Sequence, residues 1–219
     1  NSLVRGNSLV RGNRQKSPAA SGPAAVNNQL ETMALLGTSA DPPTIGHQQL
    51  LKELLNLFPK VATWASDNPM KQHVAPLEQR CILLKTLVQA INNPRLQLVQ
   101  ELSSPWAITT LERAKGLWPG VELVFVIGSD LAAQIPTWRD FKAVLEHSRL
   151  AIAPRRGWPL ENADLQGLEA HGGRIEVLPL QIPASASSLA RRQPDRAQIP
   201  AALWPMLQQH NLYGLTPGL

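Results

Sequence analysis

Short apolar runs and longer segments of helical spacing alternate along the chain. The most continuous run is Val121–Ile127, in which six of seven residues are apolar. Shorter, mainly apolar runs lie at residues 34–36, 61–65, 150–153 and 175–178, and residues 96–102 alternate apolar and polar positions. Such runs are typical of strands in a buried parallel sheet. The pattern predicts an α/β fold with a parallel sheet of about six strands and helices on both faces.

Helical spacing marks several of the segments between these runs. Leucines recur at 50, 51, 54 and 55, directly after the first strand. We predict further helices over residues 75–91 and 199–213, one beginning at Ile108, and a short capped helix over residues 185–192. Cys81 lies on the apolar side of its helix, so we interpret it as a core residue and not as a nucleophile.

The first 32 residues differ in composition from the rest of the chain. They repeat NSLVRG twice and then run through polar and small residues without periodicity. We predict a disordered N-terminal extension over residues 1–32 and a single domain over 33–219. The first methionine is Met33, so our hypothesis is that the extension is upstream translated sequence or a cloning remnant. A basic tail that contacts nucleic acid or membrane is the weaker alternative, because its cations are sparse and no aromatic residues lie between them.

Composition narrows the class of protein. The 219 residues carry a net charge of +5, and three of these charges lie in the extension, which has four cations and one glutamate. One cysteine excludes a disulfide framework and suits a reducing compartment. The chain contains no apolar run of membrane-spanning length. We therefore expect a cytoplasmic protein with no nucleic-acid or membrane partner.

The loop after the first strand is the first candidate site. Ligands of open α/β sheets bind beyond the carboxyl ends of the strands. Thr44 is a plausible N-cap, and the backbone N–H groups that follow it form an anion site at the helix start. Gly46 allows a phosphate to approach the backbone, and His47 can donate an imidazole N–H to it. Asp41-Pro42-Pro43 holds the loop extended.

Polar, basic and aromatic residues follow the other strands in the same way. Asn68, Lys71 and His73 follow the second strand, although a solvated loop is the simpler interpretation there. Trp106 follows the third strand at a helix entrance, where a ring can stack on a flat ligand.

Residues after the fourth and fifth strands complete this edge. Gly128 and Asp130 follow the fourth strand, where the carboxylate suits a ribose hydroxyl or a helix cap. Trp138 lies near the same edge. Arg155 and Arg156 follow the fifth strand and are candidate anion contacts.

A second anion site is predicted near the end of the chain. Ser187 or Ser188 presents hydroxyl and backbone donors at the start of the short helix, and an arginine follows one turn later.

Together these segments resemble the bacterial nicotinate-nucleotide adenylyltransferase family. This family belongs to the nucleotidyltransferase superfamily with a Rossmann-like fold and a (His/Thr)-x-Gly-His motif. Thr44-Ile45-Gly46-His47 is similar to that motif. Residues 125–130 with Pro136-Thr137-Trp138 resemble the Ile-Gly-x-Asp…Pro-x-Trp signature, and residues 187–191 resemble the Ile-Ser-x-Thr-x-x-Arg triphosphate motif.

The resemblance implies a reaction and a set of site residues. AMP would pass from ATP to nicotinate mononucleotide, giving nicotinate adenine dinucleotide and pyrophosphate in NAD biosynthesis. Mg²⁺ would enter with ATP and need no dedicated protein ligands. Catalytic roles are implied for His47, Thr44 and Arg191. ATP contacts are implied for Gly37, Thr38, Ser39, Asp41, Gly46, His47, Gly128, Asp130, Ser187, Ser188 and Arg191, and nicotinate-nucleotide contacts for Asn68, Lys71, Trp106, Thr110, Trp138 and Arg155.

Some positions depart from the family pattern, and other functions stay open. Trp106-Ala107 stands where the family has Tyr-Thr, and either Arg191 or Arg192 can occupy the last arginine position; we favour Arg191 because it keeps a hydroxyl at the cap. The alternatives are an adenylyltransferase for nicotinamide mononucleotide or phosphopantetheine, and a nucleotide-binding module without activity.

Overall fold

A computed structural model describes residues 31–69, 71–183 and 196–214. The strands are β1 Thr32–Thr38, β2 Lys60–Ala65, β3 Leu96–Leu98, β4 Glu122–Gly128, β5 Arg149–Ala153 and β6 Ile175–Val177. The helices are α1 Ile45–Leu57, α2 Leu77–Ile91, α3 Ala107–Leu117, α4 Phe141–His147, α5 Asn162–Ala170 and α6 Trp204–Gln209. Five 3₁₀ turns lie at Gln100–Leu102, Ala132–Thr137, Arg196–Gln198, Ala201–Leu203 and Leu212–Gly214.

All six strands form one parallel sheet in the order β3-β2-β1-β4-β5-β6. The predicted α/β class, the six-stranded parallel sheet and the Rossmann-like fold are confirmed. The chain leaves β1 toward β2 and β3 and returns to the other side of β1 as β4. Strand order therefore reverses between β1 and β4, and such a switch point opens a crevice at the carboxyl ends of both strands.

Two apolar layers cover the sheet. Alternate residues of β1 face opposite sides, as the pleat requires. Ala34 and Leu36 pack with the leucines of α1 and α2 and with Trp204 and Leu207 of α6. Met33 and Leu35 pack on the other face with residues of α3, α4 and α5. Helices on both faces bury the central strands almost completely, which explains why these strands are continuous apolar runs.

Several predicted boundaries differ from the structure for identifiable reasons. Strand β1 begins at Thr32, one residue before the predicted boundary, and the Glu31 carbonyl accepts the Glu122 N–H at 2.8 Å. The predicted strand over residues 96–102 ends at Leu98. There the Gln100 side-chain amide, instead of a further strand residue, pairs with the N–H and carbonyl of Ala65 at 2.9 and 2.8 Å.

Predicted helices differ in the same way. The helix expected from residue 75 begins at Leu77, with Pro76 as N-cap. The helix expected over residues 199–213 is divided into a 3₁₀ turn, α6 and a second 3₁₀ turn, and Asn211 and Tyr213 have positive φ angles. Helix α5 was not predicted, because Leu168 is its one buried residue. Of the extension predicted over residues 1–32, residues 1–30 lie outside the described residues, and Thr32 is the first residue of β1. The predicted short helix, residues 185–192, also lies outside the described residues.

Among the described residues, no helix has the length and apolar character needed to cross a membrane.

Candidate active site

Helix α1 begins at the switch point with a capping box formed by Thr44 and His47. The Thr44 hydroxyl accepts the His47 N–H at 3.4 Å, and the His47 Nδ1 accepts the Thr44 N–H at 3.0 Å. A backbone N–H can only donate, so Nδ1 carries the lone pair in this contact. A neutral His47 therefore has its proton on Nε2, and that N–H is free of the capping box.

The environment of His47 keeps the imidazole neutral. Burial, followed by the positive charges of Arg155 and Lys71, lowers the pKa of His47 to about 4 from its ordinary value of 6.5. Both cations are thus close enough to His47 to act on it electrostatically, although Arg155 follows β5 and Lys71 follows β2. The structure brings together three residues that sequence analysis predicted separately. Their combined charge makes this point of the edge attractive to an anion.

Two glycines at the ends of the central strands have no room for a side chain. A Cβ on Gly37 would lie 2.8 Å from the Trp64 ring. A Cβ on Gly128 would overlap the Oδ1 of Asp130. Gly46 differs, since a Cβ there would make ordinary contacts at 3.5 Å with Pro183 and the Thr44 hydroxyl. The close approach of a phosphate to Gly46 stays a prediction.

Asp41 is buried and is a structural centre of the edge. It is 1% exposed, and its carboxylate accepts the N–H groups of Val74 and Ala75 at 2.8 and 3.1 Å and the Tyr213 hydroxyl at 2.6 Å. These bonds join the loop after β1 to the loop after β2 and to the last 3₁₀ turn. We predicted a direct ATP contact for Asp41, and the structure instead commits its carboxylate to the protein.

Thr38 and Ser39 also act within the loop after β1. Thr38 is 8% exposed, and its hydroxyl accepts the Ala40 N–H at 3.2 Å. The Ser39 carbonyl accepts a hydrogen bond from the Arg80 guanidinium at 2.8 Å. The predicted ATP contacts of both residues stay predictions.

Arg80 is a buried arginine to which the sequence assigned no role. Its side chain is 1% exposed and lies on α2. Its guanidinium donates to the carbonyls of Ala75, Ser39 and Ser66 at 3.0, 2.8 and 2.7 Å and pairs with Asp67 at 3.3 Å. The loops after β1 and β2 are therefore fixed to one side chain. An isolated polar residue in a helical pattern gives no signal of such long-range contacts.

Asp130, Ser129 and Arg155 form a network at the ends of β4 and β5. The Arg155 guanidinium pairs with the Asp130 Oδ2 at 2.9 Å. The Ser129 hydroxyl accepts the Arg155 N–H at 2.8 Å and donates to the Trp158 carbonyl at 2.7 Å. The Asp130 Oδ1 accepts no hydrogen bond from the described residues and lies against Gly128.

Aromatic residues cover the α3 and α4 side of the edge. Trp64, Phe125 and Trp138 make a chain of ring contacts with centroid distances of 6.5 and 6.1 Å. Trp106 is 41% exposed, and the Arg139 guanidinium carbon lies 3.8 Å from the centroid of its ring. This contact joins the segment after β3 to the segment after β4. Arg139 was not among the predicted site residues.

Thr110 and Asn68 complete the predicted residues that the structure describes. Thr110 is 2% exposed, and its hydroxyl donates to the Leu102 carbonyl at 2.6 Å, so it positions α3 and offers no surface to a ligand. Asn68 is half-buried and its carbonyl accepts the Lys71 N–H at 3.0 Å. Cys81 is half-buried against the core, and burial raises the pKa of its thiol, as expected for a core residue. Ser187, Ser188 and Arg191 lie outside the described residues.

Comparisons with known proteins agree with this geometry. The model of the cytidylyltransferase-like family matches residues 35–194. A protein of Synechocystis named probable nicotinate-nucleotide adenylyltransferase is 36% identical over 197 residues, which cover 83% of this chain and 98% of that protein. The chain belongs to this family. A Thermus thermophilus protein of the same name is 30% identical, with the same two coverages.

Solved structures support the fold. The Plasmodium falciparum nicotinic acid mononucleotide adenylyltransferase complexed with NaAD superposes with a TM-score of 0.69 at 18% identity, over 85% of this chain and 98% of that chain. At this identity the likeness concerns the fold.

Proposed function

We propose that this protein transfers the adenylyl group of ATP to nicotinate mononucleotide in the synthesis of NAD. An oxygen of the mononucleotide phosphate forms a bond to the α-phosphorus of ATP. The bond from that phosphorus to the oxygen that bridges to the β-phosphate breaks, and pyrophosphate leaves with the electron pair. The observation that carries this proposal is the neutral His47, held by Thr44 at the start of α1 and flanked by two cations. We expect the reaction to take place in the cytoplasm.

The site acts by placing two anions in line and by stabilising the charge that grows between them. His47 donates its Nε2–H to a non-bridging oxygen of the α-phosphate, and the unpaired N–H groups of the first turn of α1 add to this. Lys71 and Arg155 offset the charge of the approaching phosphates. No side-chain nucleophile takes part. Arg191 with Ser187 and Ser188 holds the β- and γ-phosphates in this proposal.

The nucleoside parts bind on either side of His47. In this proposal the Oδ1 of Asp130 accepts a ribose hydroxyl of ATP, while its Oδ2 stays paired with Arg155. In this proposal the pyridine ring of the mononucleotide stacks on Trp106, which is 41% exposed, and Trp138 and Asn68 also contact the mononucleotide.

Mg²⁺ enters the reaction with ATP. Among the described residues, no group of three His, Cys, Asp or Glu side chains is placed to hold a metal ion. Mg²⁺ prefers phosphate oxygens and water as ligands, so in this proposal the substrate holds the cation. When bound, the ion neutralises charge on the phosphates.

Pyrophosphate release tests the proposal. The protein is supplied with ATP, Mg²⁺ and one of three acceptors: nicotinate mononucleotide, nicotinamide mononucleotide or 4′-phosphopantetheine. We expect the highest kcat/KM with nicotinate mononucleotide. Turnover with phosphopantetheine alone would contradict the proposed acceptor. If no acceptor supports turnover, the remaining function is that of a nucleotide-binding module without activity.

A variant tests the role of His47. We expect His47→Ala to lower kcat about a hundredfold, as for other losses of a transition-state donor. The control is His147→Ala, because His147 ends α4 at the opposite edge of the sheet, where it contacts Lys115. A nearly normal kcat for His47→Ala would refute this role.

A further inference from the structure

Arg139 lies over the ring of Trp106 at the edge that carries the candidate site. Its guanidinium carbon is 3.8 Å from the ring centroid, which is within the range of a cation–π contact. Both side chains are exposed, and they belong to segments that follow different strands, β3 and β4. The pair therefore spans the edge of the sheet at the place where our proposed function seats the pyridine ring.

The charge of Arg139 has no counterion among the described residues. Arg80 and Arg155, at the same edge, pair with Asp67 and Asp130. No ion pair of this kind joins Arg139 to a described carboxylate. A guanidinium held by a ring alone keeps its five N–H donors available, and its fork matches the two oxygens of a carboxylate.

The backbone under Arg139 is well supported. Trp138 packs edge-on against Phe125, and its N–H donates to the Ile135 carbonyl at 3.0 Å. Ile135 is fully buried. The start of the Arg139 side chain is thus fixed, while its end can move between the Trp106 ring and a ligand beside that ring.

The difference between nicotinate and nicotinamide mononucleotides distinguishes the roles that Trp106 and Arg139 can have in binding them. Both contain a positively charged pyridinium ring, which the face of a tryptophan attracts in either case. They differ in the ring substituent, which is an anionic carboxylate in one and a neutral amide in the other. Stacking on Trp106 cannot distinguish them by charge, whereas a cation beside the ring can.

We propose that Arg139 determines specificity by binding the carboxylate of nicotinate mononucleotide while the pyridinium ring occupies the face of Trp106. This inference rests on the proposed function. In the free protein the guanidinium covers the ring face. When the mononucleotide binds, its pyridinium ring takes the place of the guanidinium on the Trp106 ring, and the Arg139 side chain turns to the carboxylate.

The test compares kcat/KM for the two mononucleotides in wild type, Arg139→Ala and Arg139→Lys. A hydrogen-bonded charge pair is worth at least about tenfold in binding, so we expect Arg139→Ala to lower kcat/KM for the acid about tenfold or more. The value for the amide should stay within about twofold. Arg139→Lys keeps the charge without the fork and should give an intermediate ratio.

Two further variants make the result specific. Trp106→Leu should lower kcat/KM for both substrates, because the pyridinium ring of either mononucleotide stacks on Trp106. Arg174→Ala removes the same charge from the residue before β6, at the amino ends of the strands, and should change neither. Calorimetric titration of each protein with each mononucleotide without ATP should show the same loss of acid binding in Arg139→Ala.

Each contrary result has one meaning. If Arg139→Ala is active and its ratio of kcat/KM for the acid to kcat/KM for the amide equals that of wild type, the inference is overturned and the proposed function stays intact. An equal fall in kcat/KM for both substrates has the same meaning. A wild-type preference for the amide overturns the inference together with the proposed acceptor, and leaves only adenylyl transfer itself intact. A wild type that neither binds nor converts either mononucleotide overturns the inference together with the proposed function.

Discussion

Removing the Arg80 guanidinium should destabilise the protein more than the loss of any exposed arginine. Arg80→Met keeps the length and the apolar stem of the side chain but has no donor. Three backbone carbonyls, those of Ser39, Ser66 and Ala75, then lose a charge-assisted hydrogen bond. Two of these carbonyls belong to the loops that carry the candidate site, so stability and activity should fall together.

The magnitude follows from the burial of each partner. A buried acceptor without a partner costs about 1–3 kcal/mol, and water can restore part of this at the half-buried Ser39 and Ser66. Asp67 adds little because its side chain is 58% exposed. We therefore expect a loss of about 3 kcal/mol in the free energy of unfolding, which is a large part of the 5–15 kcal/mol typical of a domain.

Urea unfolding followed by tryptophan fluorescence measures this loss. A matched control is Arg113→Met, since Arg113 is exposed and also donates to two carbonyls, those of Glu101 and Ser103. We expect the control to lose less than about 1 kcal/mol. Arg80→Lys should recover part of the loss, because an ammonium group cannot reach all three carbonyls at once. Equal losses in Arg80→Met and Arg113→Met would refute the assignment of Arg80 as the residue that fixes these loops.

Two further predictions concern the switch point. Gly37→Ala should lower the urea midpoint, because the new Cβ would meet the Trp64 ring at 2.8 Å; Gly116→Ala, where a Cβ meets nothing within 4 Å, is the control and should not lower it. His47 stays neutral in the folded protein between about pH 4 and 6.5, whereas the unfolded chain binds a proton there, so wild type should lose stability as the pH falls through this window. His47→Gln should lose less over the same window. NMR titration of the imidazole should show the low pKa of His47, and Arg155→Ala should raise it; a normal pKa in wild type would contradict the charge environment described above.

The fold was predictable because its determinants are local. Continuous apolar runs identify the strands of a sheet covered on both faces. The runs of β2, β4 and β5 were predicted within one residue of their observed bounds, and the run of β1 within two residues. The same holds for Thr44 and His47, whose capping box spans four consecutive residues. Parallel strands also have their carboxyl ends at one edge, which explains why Lys71 and Arg155 could be expected near His47.

What sequence analysis missed depends on contacts between residues far apart in the chain. Tyr213 and Asp41 are separated by 172 positions. Nothing in the pattern around Tyr213 indicates that its hydroxyl reaches the loop after β1. Gln100 similarly ends β3 by pairing with Ala65, which a strand-like alternation cannot show.

Asp41 shows that a residue in a motif loop need not contact the ligand. A polar residue in a loop between a strand and a helix is expected to face the ligand when only the sequence is known. Here the carboxylate is 1% exposed, and it accepts two N–H groups from the loop after β2 and one hydroxyl from the last 3₁₀ turn, so that three segments meet at it. Its substitution would therefore act on all three segments at once, and the resulting loss of activity would come with a loss of stability. His47 differs, since its side-chain capping contact uses Nδ1 and leaves Nε2–H for the phosphate that we propose it binds. The two residues lie six positions apart, and only their burial and hydrogen-bond partners separate the positioning residue from the one to which we assign a role in the reaction.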